Sequence, residues 1–86
     1  MSEVTIIVRT ADKTRKAEVT IDRESKGKEI IQNAVDNWSL PTDGEYQLTN
    51  VTQDPKITIM PEDSLSEEKV KDDDILEVQP VLVAGW

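Results

Sequence analysis

The first part of the chain alternates apolar and polar side chains in two short runs, EVTIIVRT and RKAEVTID. The apolar positions that share one face are Val4, Ile6, Val8, Ala17, Val19 and Ile21. A period of two with many β-branched residues is typical of a half-buried strand. The polar stretch ADKT between the two runs has the length of a hairpin turn. The pattern therefore predicts that the chain opens with a β-hairpin.

A helical period follows this hairpin. Its apolar positions are Ile30, Ile31, Ala34, Val35 and Trp38. Ser25 is the predicted N-cap, although Lys28 instead of Glu stands three residues later, so the capping box is incomplete. Pro41 ends the helix because it forces the preceding residue out of the α region. We predict a helix at about 26–39 that lies across a sheet, with Trp38 in the core and not as a ligand-stacking residue.

Three more runs predict strands, and their apolar positions are Tyr46 and Leu48, Ile57 and Ile59, and Leu76 and Val78. The polar stretch EDSLSEEKVKDDD is predicted to be a loop held down by Leu65 and Val70. The order ββαβββ lets the first and last strands pair in parallel at the centre of one sheet. The predicted fold class is α+β, a β-grasp roll with a mixed sheet of four to five strands and one helix packed on one face. Residues 1–79 form the predicted domain, and 80–86 an extended C-terminal tail.

Length and charge narrow the possible partners. Eighty-six residues suffice for one core. A formal net charge of −8 repels phosphate backbones, so no nucleic-acid partner is expected. The sequence has neither a long apolar run nor a signal-peptide pattern, so no membrane partner is expected. The absence of Cys fits a reducing cytoplasm and is also compatible with export.

The residue types also limit the chemistry. The chain has no Cys and no His, so it lacks a thiol nucleophile, an imidazole base and the usual zinc ligands. The acidic run Asp72–Asp74 lacks the spaced ligands of a calcium loop and is predicted to be a solvated turn. We therefore expect no enzymatic activity, no cofactor and no metal.

Two segments carry a resemblance to a known family. IIVRTADKTRKAEVTI resembles the opening hairpin of ubiquitin, one residue shorter in the turn, and LSEEKVKDDDILEV resembles its last loop and strand. Counted without a gap from Leu65, the terminal glycine of the family falls on Gly85, and its penultimate glycine falls on Ala84. The chain thus resembles ubiquitin-like modifiers encoded in bacterial conjugation operons. Through its core it is also similar to the small ubiquitin-like accessories of type VII secretion.

The first resemblance implies a function for the tail. An activating enzyme would adenylate the carboxylate of Gly85, and a conjugating enzyme would pass the acyl group to a target protein. Because the indole of Trp86 would block adenylation, a JAB-type metallopeptidase would first cut between Gly85 and Trp86. The segment expected to be held by these partner enzymes consists of Val81, Leu82, Val83 and Ala84.

Departures from the family leave alternatives open. Thr49 and Gln79 stand where the family has an exposed apolar patch, and Val81 and Val83 replace its basic tail residues. Receptors of that patch and eukaryotic activating enzymes should therefore not recognise this chain. One alternative is a non-covalent adaptor or accessory subunit, of type VII secretion or of a larger enzyme. Another is that the tail folds back over apolar surface with Trp86 as a plug.

Overall fold

A computed structural model describes residues 2–42 and 44–81. Its elements are β1 (Glu3–Thr10), β2 (Lys16–Asp22), α1 (Gly27–Trp38), β3 (Tyr46–Asn50), β4 (Ile57–Ile59) and β5 (Ile75–Pro80). The strands form one sheet in the order β2-β1-β5-β3-β4. β1 and β5 run parallel, with Val8 opposite Leu76, and the other neighbours are antiparallel. The predicted α+β roll is confirmed, with five strands and with the first and last strands adjacent.

The core lies between the sheet and α1. Its buried apolar side chains are Val4, Ile6, Val8, Ile30, Ala34, Leu48, Ile59, Leu65, Val70, Leu76 and Val78. The alternation in each strand placed the strand members of this core on the helix-covered face. Leu65 and Val70 are both fully buried, which confirms that they hold down the long polar loop. Trp38 is partly buried and packs against this cluster, as predicted.

The helix begins one residue later than predicted. Its N-cap is Lys26 and not Ser25. The backbone N–H of Lys26 donates to Oε2 of Glu29 at 2.7 Å, so the acidic residue of the cap is Glu29, three positions after Lys26. The N–H groups of Gly27 and Lys28 donate to the carbonyls of Asp63 and Pro61 at 2.9 and 3.1 Å. The long loop thus satisfies backbone donors that local side chains would otherwise cap, which fixes where the helix starts.

The helix ends at Trp38, just ahead of Pro41 as predicted. Ser39 adopts a left-handed conformation, with φ 52° and ψ 44°, and its N–H donates to the carbonyl of Val35. The N–H of Leu40 donates to the same carbonyl at 3.1 Å. Leu40 then packs against the core and directs the chain toward β3.

The acidic run Asp72–Asp74 is more than a solvated turn, so that prediction is wrong for Asp74, which is 5% exposed. Its Oδ2 accepts from the amides of Asn50 and Gln53 at 2.8 and 3.0 Å, and from the Lys71 N–H at 2.9 Å. Burial alone would raise the pKa of Asp74, but these hydrogen bonds outweigh it and hold the pKa below its ordinary value. Asp74 therefore joins β3, the long loop and the start of β5.

Two kinds of feature are missing from residues 2–42 and 44–81. No three carboxylates there come together as a metal site. No helix in the same ranges has the length and apolar content that a membrane crossing requires.

The hairpin turn between β1 and β2 is organised by one carboxylate. Oδ1 of Asp12 accepts from the hydroxyls of Thr10 and Thr14 at 2.6 and 2.7 Å, and from the Thr14 N–H at 3.0 Å. These hydrogen bonds lower the pKa of Asp12 from 3.8 to about 2. Asp12 thereby supports the left-handed residue Lys13, whose φ is 64°.

This geometry predicts an acid-dependent loss of stability at the turn. Because the pKa of Asp12 is lower in the folded than in the unfolded chain, its contribution is fully present above the unfolded value. It is lost as the pH falls through about 2. We expect NMR titration to place the Asp12 carboxyl near that value, and Asp12→Asn to remove this part of the acid dependence. Titration of Asp12 at an ordinary pKa would contradict the turn geometry.

Candidate functional site: the tail exit, the open face and a groove

The tail leaves the domain from the middle of the sheet. β5 lies between β1 and β3 and runs to Pro80. The N–H of Val81 donates to the carbonyl of Glu45 at 2.9 Å, which extends the pairing one residue beyond the strand. Two residues of the predicted tail 80–86 lie inside the described ranges: Pro80, which is the last residue of β5, and Val81. The predicted site residues that lie outside the described residues are Leu82, Val83, Ala84, Gly85 and Trp86.

A hollow of about 380 Å³ lies beside this exit. Its apolar side chains are Ala11, Trp38, Leu40, Tyr46, Val78 and Pro80. The hydroxyl of Tyr46 donates to the carbonyl of Pro41 at 2.8 Å, which ties the start of β3 to the loop after α1. Asp12 and Arg15 stand at the polar side of the hollow. The point where the tail leaves is therefore bordered by a partly apolar surface.

The sheet face opposite the helix carries a partly buried ion pair. Arg9 and Glu77 are register partners on β1 and β5. Nε and Nη2 of Arg9 both lie 2.8 Å from Oε2 of Glu77, whose side chain is only 9% exposed. Burial alone would raise the pKa of Glu77, but hydrogen bonds from Gln79 and Arg9 and the Arg9 charge hold it below its ordinary value. Glu77 is therefore a charged member of this face.

Neighbouring polar side chains complete this network. Nε2 of Gln79 donates to Oε1 of Glu77 at 2.7 Å, and Oε1 of Gln79 lies 3.3 Å from Nε2 of Gln47 and from Oγ1 of Thr49. Thr49 and Gln79 were predicted to replace an apolar patch, and here they are bonded to each other. A face whose polar groups already satisfy one another offers little to an apolar receptor.

The hydrogen bonds of this network were not predicted from the sequence. A usable signal was present, since Arg9 and Glu77 occupy outward positions on two strands predicted to pair in parallel. Opposite charges on adjacent strands of one face are a common cross-strand pair.

An apolar groove of about 220 Å³ runs between β2 and α1. Its lining residues are Val8, Ala17, Val19, Ile21, Ile30, Asn33, Ala34, Asn37 and Trp38. The side chains of β2 in this groove are half-buried, whereas Val8 of β1 is buried. Asn33 and Asn37 are the polar members, both on the exposed side of α1. The groove was not predicted, because alternation places Ala17, Val19 and Ile21 on the helix-covered face without indicating how fully the helix covers them.

Comparison of the coordinates with solved structures identifies the fold. The ubiquitin of Caldiarchaeum subterraneum superposes with a TM-score of 0.71 over 98% of this chain and 100% of its own, at 16% sequence identity. A protein designed de novo on the basis of ubiquitin gives 0.70, at 15% identity over 98% and 95% of the two chains. The fold is ubiquitin-like.

A third structure with this ubiquitin-like fold is described as showing that molecular mimicry of SUMO promotes DNA repair. It has a TM-score of 0.68 and 17% identity, and the match covers 95% of this chain and 94% of its own. No family model matches the chain, and no curated protein matches it in sequence. At these identities the likeness establishes the ubiquitin-like fold, and function has to be argued from the surfaces of this chain.

Proposed function

We propose that this chain is a ubiquitin-like protein modifier of a bacterial conjugation pathway, acting in the cytoplasm through the carboxylate of Gly85. The observation that carries the proposal is the exit of the tail from the central strand of a ubiquitin-like fold. Val81 is anchored to the Glu45 carbonyl, and Gly85 follows four positions later. Fully extended, those four residues span about 14 Å. Gly85, which has no side chain, could therefore lie up to that distance from Val81.

The chemistry requires little of the modifier itself. Hydrolysis of the Gly85–Trp86 peptide bond by a JAB-type metallopeptidase gives the Gly85 carboxylate. That carboxylate attacks the α-phosphorus of ATP on an activating enzyme, forming an acyl adenylate and releasing pyrophosphate. A cysteine thiolate displaces AMP to give a thioester, which passes to a conjugating enzyme. An amine of the target then displaces the thiol and forms an amide.

Glycine suits the reacting position because it has no Cβ and lets the carbonyl enter a narrow channel. The uncharged segment between Val81 and Gly85 suits pairing along a strand edge of the partner enzyme. In this scheme the chain supplies the acyl carbon and no catalytic group, and it needs no cofactor of its own. The polar network around Glu77 supports a dedicated set of partners, because receptors of an apolar patch would find none on this face.

A thioester assay tests the proposal. Where an activating enzyme is encoded beside this gene, that enzyme would be incubated with ATP and either the full chain or a form that ends at Gly85. We expect ATP-dependent pyrophosphate release and a thiol-sensitive adduct with the form ending at Gly85, and neither with the full chain. The same form carrying Gly85→Val is the matched control and should give no adduct. If the form ending at Gly85 also fails with that enzyme, the modifier function is wrong.

The apolar groove favours a second candidate, a non-covalent adaptor or accessory subunit. A half-buried strand edge beside apolar side chains can hold a partner peptide without any covalent step. Gene neighbourhood separates the two candidates. Adjacent activating-enzyme and JAB-peptidase genes support conjugation, whereas adjacent secretion genes support an accessory of type VII secretion.

A further inference from the structure

β2 forms one edge of the sheet, and its backbone pairing with β1 follows a regular alternation. At one end of this ladder the Thr10 N–H donates to the Arg15 carbonyl, and at the other the Arg23 N–H donates to the Ser2 carbonyl. Because antiparallel bonding repeats every second residue, Ala17, Val19 and Ile21 use their backbone groups on β1. The residues that direct both their N–H and C=O groups away from the sheet are Lys16, Glu18 and Thr20. The next such residue, Asp22, already uses its C=O to accept from the Ser25 N–H at 3.0 Å.

The groove lies beside this edge. Its apolar side chains on β2 belong to the residues whose backbone groups pair with β1. The side chains of Ala17, Val19 and Ile21 line it from the strand side, and Asn33 and Asn37 from the helix side. An extended peptide added to β2 would therefore meet backbone donors and acceptors in the plane of the sheet. Every second one of its side chains would enter the groove.

Residues 82–86, with the sequence LVAGW, have the composition that this surface fits. Their side chains are uncharged and three of them are large and apolar, in a chain whose charged fraction is 33%. At about 3.3 Å per residue, five residues span about 17 Å, close to the roughly 20 Å expected for the seven residues of β2. The domain carries a net charge of −8, so an uncharged segment is the part of one copy that another copy repels least.

Reach favours binding between two molecules over binding within one. β5 and β2 are separated by β1, which places the edge of β2 about 10 Å to the side of the point where the tail leaves. Crossing that distance would use about three of the five residues, and too few would remain to follow the strand.

We propose that the open edge of β2 and the adjoining groove bind residues 82–86 of a second copy of this chain. The contact is head-to-tail, so each copy can give its tail to one neighbour and receive the tail of another. The inference goes beyond the proposed function, because the tail needs neither cleavage nor adenylation to bind. Its consequence is that a tail held by another copy is withheld from any enzyme that acts at Gly85.

Sedimentation of the full chain tests the proposal. We expect the average mass to rise between about 10 μM and about 1 mM, the range of weak association. Added salt should strengthen the rise because it screens the repulsion between acidic copies. Glu18→Pro removes an outward N–H and should leave the chain monomeric, whereas the matched Glu18→Ala keeps that N–H and should associate like the unmodified chain. Leu82→Asp, which leaves the domain intact, should also be monomeric.

Either of two sedimentation results would overturn the proposal: a full chain that stays monomeric over this range, or a folded Glu18→Pro variant that associates as strongly as Glu18→Ala. Circular dichroism establishes whether Glu18→Pro is folded.

A second measurement, NMR titration with a peptide, does not depend on that variant. Titration of the synthetic peptide PVLVAGW into the isotope-labelled Leu82→Asp chain should shift the backbone amides of Lys16, Glu18 and Thr20. Shifts confined to β4 or to the open face would place the peptide elsewhere and reject the β2 edge. These outcomes do not depend on the thioester assay, so the two proposals can fail separately.

Discussion

Leu48→Ala is expected to lower the free energy of unfolding by about 3 kcal/mol, within the range for truncating a buried leucine. Leu48 is 0% exposed and lies opposite Ile59 of β4 and Val78 of β5. Removing its side chain leaves a cavity where two strand pairs and the helix meet, and a sheet held by backbone pairing can collapse only partly into it. Small domains have about 5–15 kcal/mol of stability, so the loss would be a large fraction of the total.

Urea denaturation at neutral pH measures this loss, with an unchanged m value as evidence that the unfolded state is the same. Met60→Ala is the matched control, because Met60 is 57% exposed and its truncation should cost no more than about 0.5 kcal/mol. Equal effects of the two substitutions would mean that Leu48 does not occupy the core.

Arg9→Met is expected to destabilise the domain by about 2 kcal/mol at neutral pH. The substitution leaves the Glu77 carboxylate, whose side chain is 9% exposed, without its cationic partner. We place the loss below that of a fully buried pair because the Arg9 side chain is 23% exposed and solvent screens part of the interaction. Glu77→Leu combined with Arg9→Met should recover most of the stability, since neither substituted side chain then carries a buried charge.

The stability loss caused by Arg9→Met should depend on pH, and the pKa of Glu77 gives the direction of this dependence. In the unmodified domain the pKa of Glu77 lies below the ordinary 4.5, so the pair contributes above the unfolded pKa and is lost as the pH falls below it. In Arg9→Met the pKa of Glu77 should rise, because the carboxylate has lost its cation. The difference in stability between the two proteins should therefore shrink on acidification. A difference that stays constant from neutral to acidic pH would show that charge is not its cause.

The face that each strand turns to the helix could be predicted from sequence because it depends on local alternation. Val4, Ile6 and Val8 share one parity, and so do Leu76 and Val78. The parallel pairing of the first and last strands followed from the element order alone. The first of these predictions uses the period-two geometry of a strand, which tertiary context does not change.

The details that sequence reasoning missed depend on contacts between distant segments. The helix starts at Lys26 and not at Ser25, because the carbonyls of Asp63 and Pro61 satisfy its first N–H groups. Asp74 is buried because Asn50, distant in sequence, donates to it. The sequence of one segment does not show which distant residues will contact it. The N-cap and the acidic run were therefore predicted from adjacent residues only.

In the candidate site too, some features follow from the local sequence and others depend on contacts between distant segments. The polar character of Thr49 and Gln79 could be predicted position by position, whereas their bonding through Gln79 to Glu77 needed the register of three strands. The groove beside β2 depends on how far α1 lies from the edge strand, a distance that no sequence pattern specifies.

The parallel pairing of β1 with β5 also determines when the domain can finish folding during translation. Translation delivers β1 first and β5 last among the strands, yet the two are neighbours at the middle of the sheet, with Thr10 opposite Val78. A nascent chain that has emerged only as far as β4 therefore has two separate halves of a sheet and nothing to join them. Contacts between residues so far apart in sequence form slowly. We therefore expect the domain to complete its folding only after β5 has left the ribosome, so that the folded body and the arm that follows it become available to partners together.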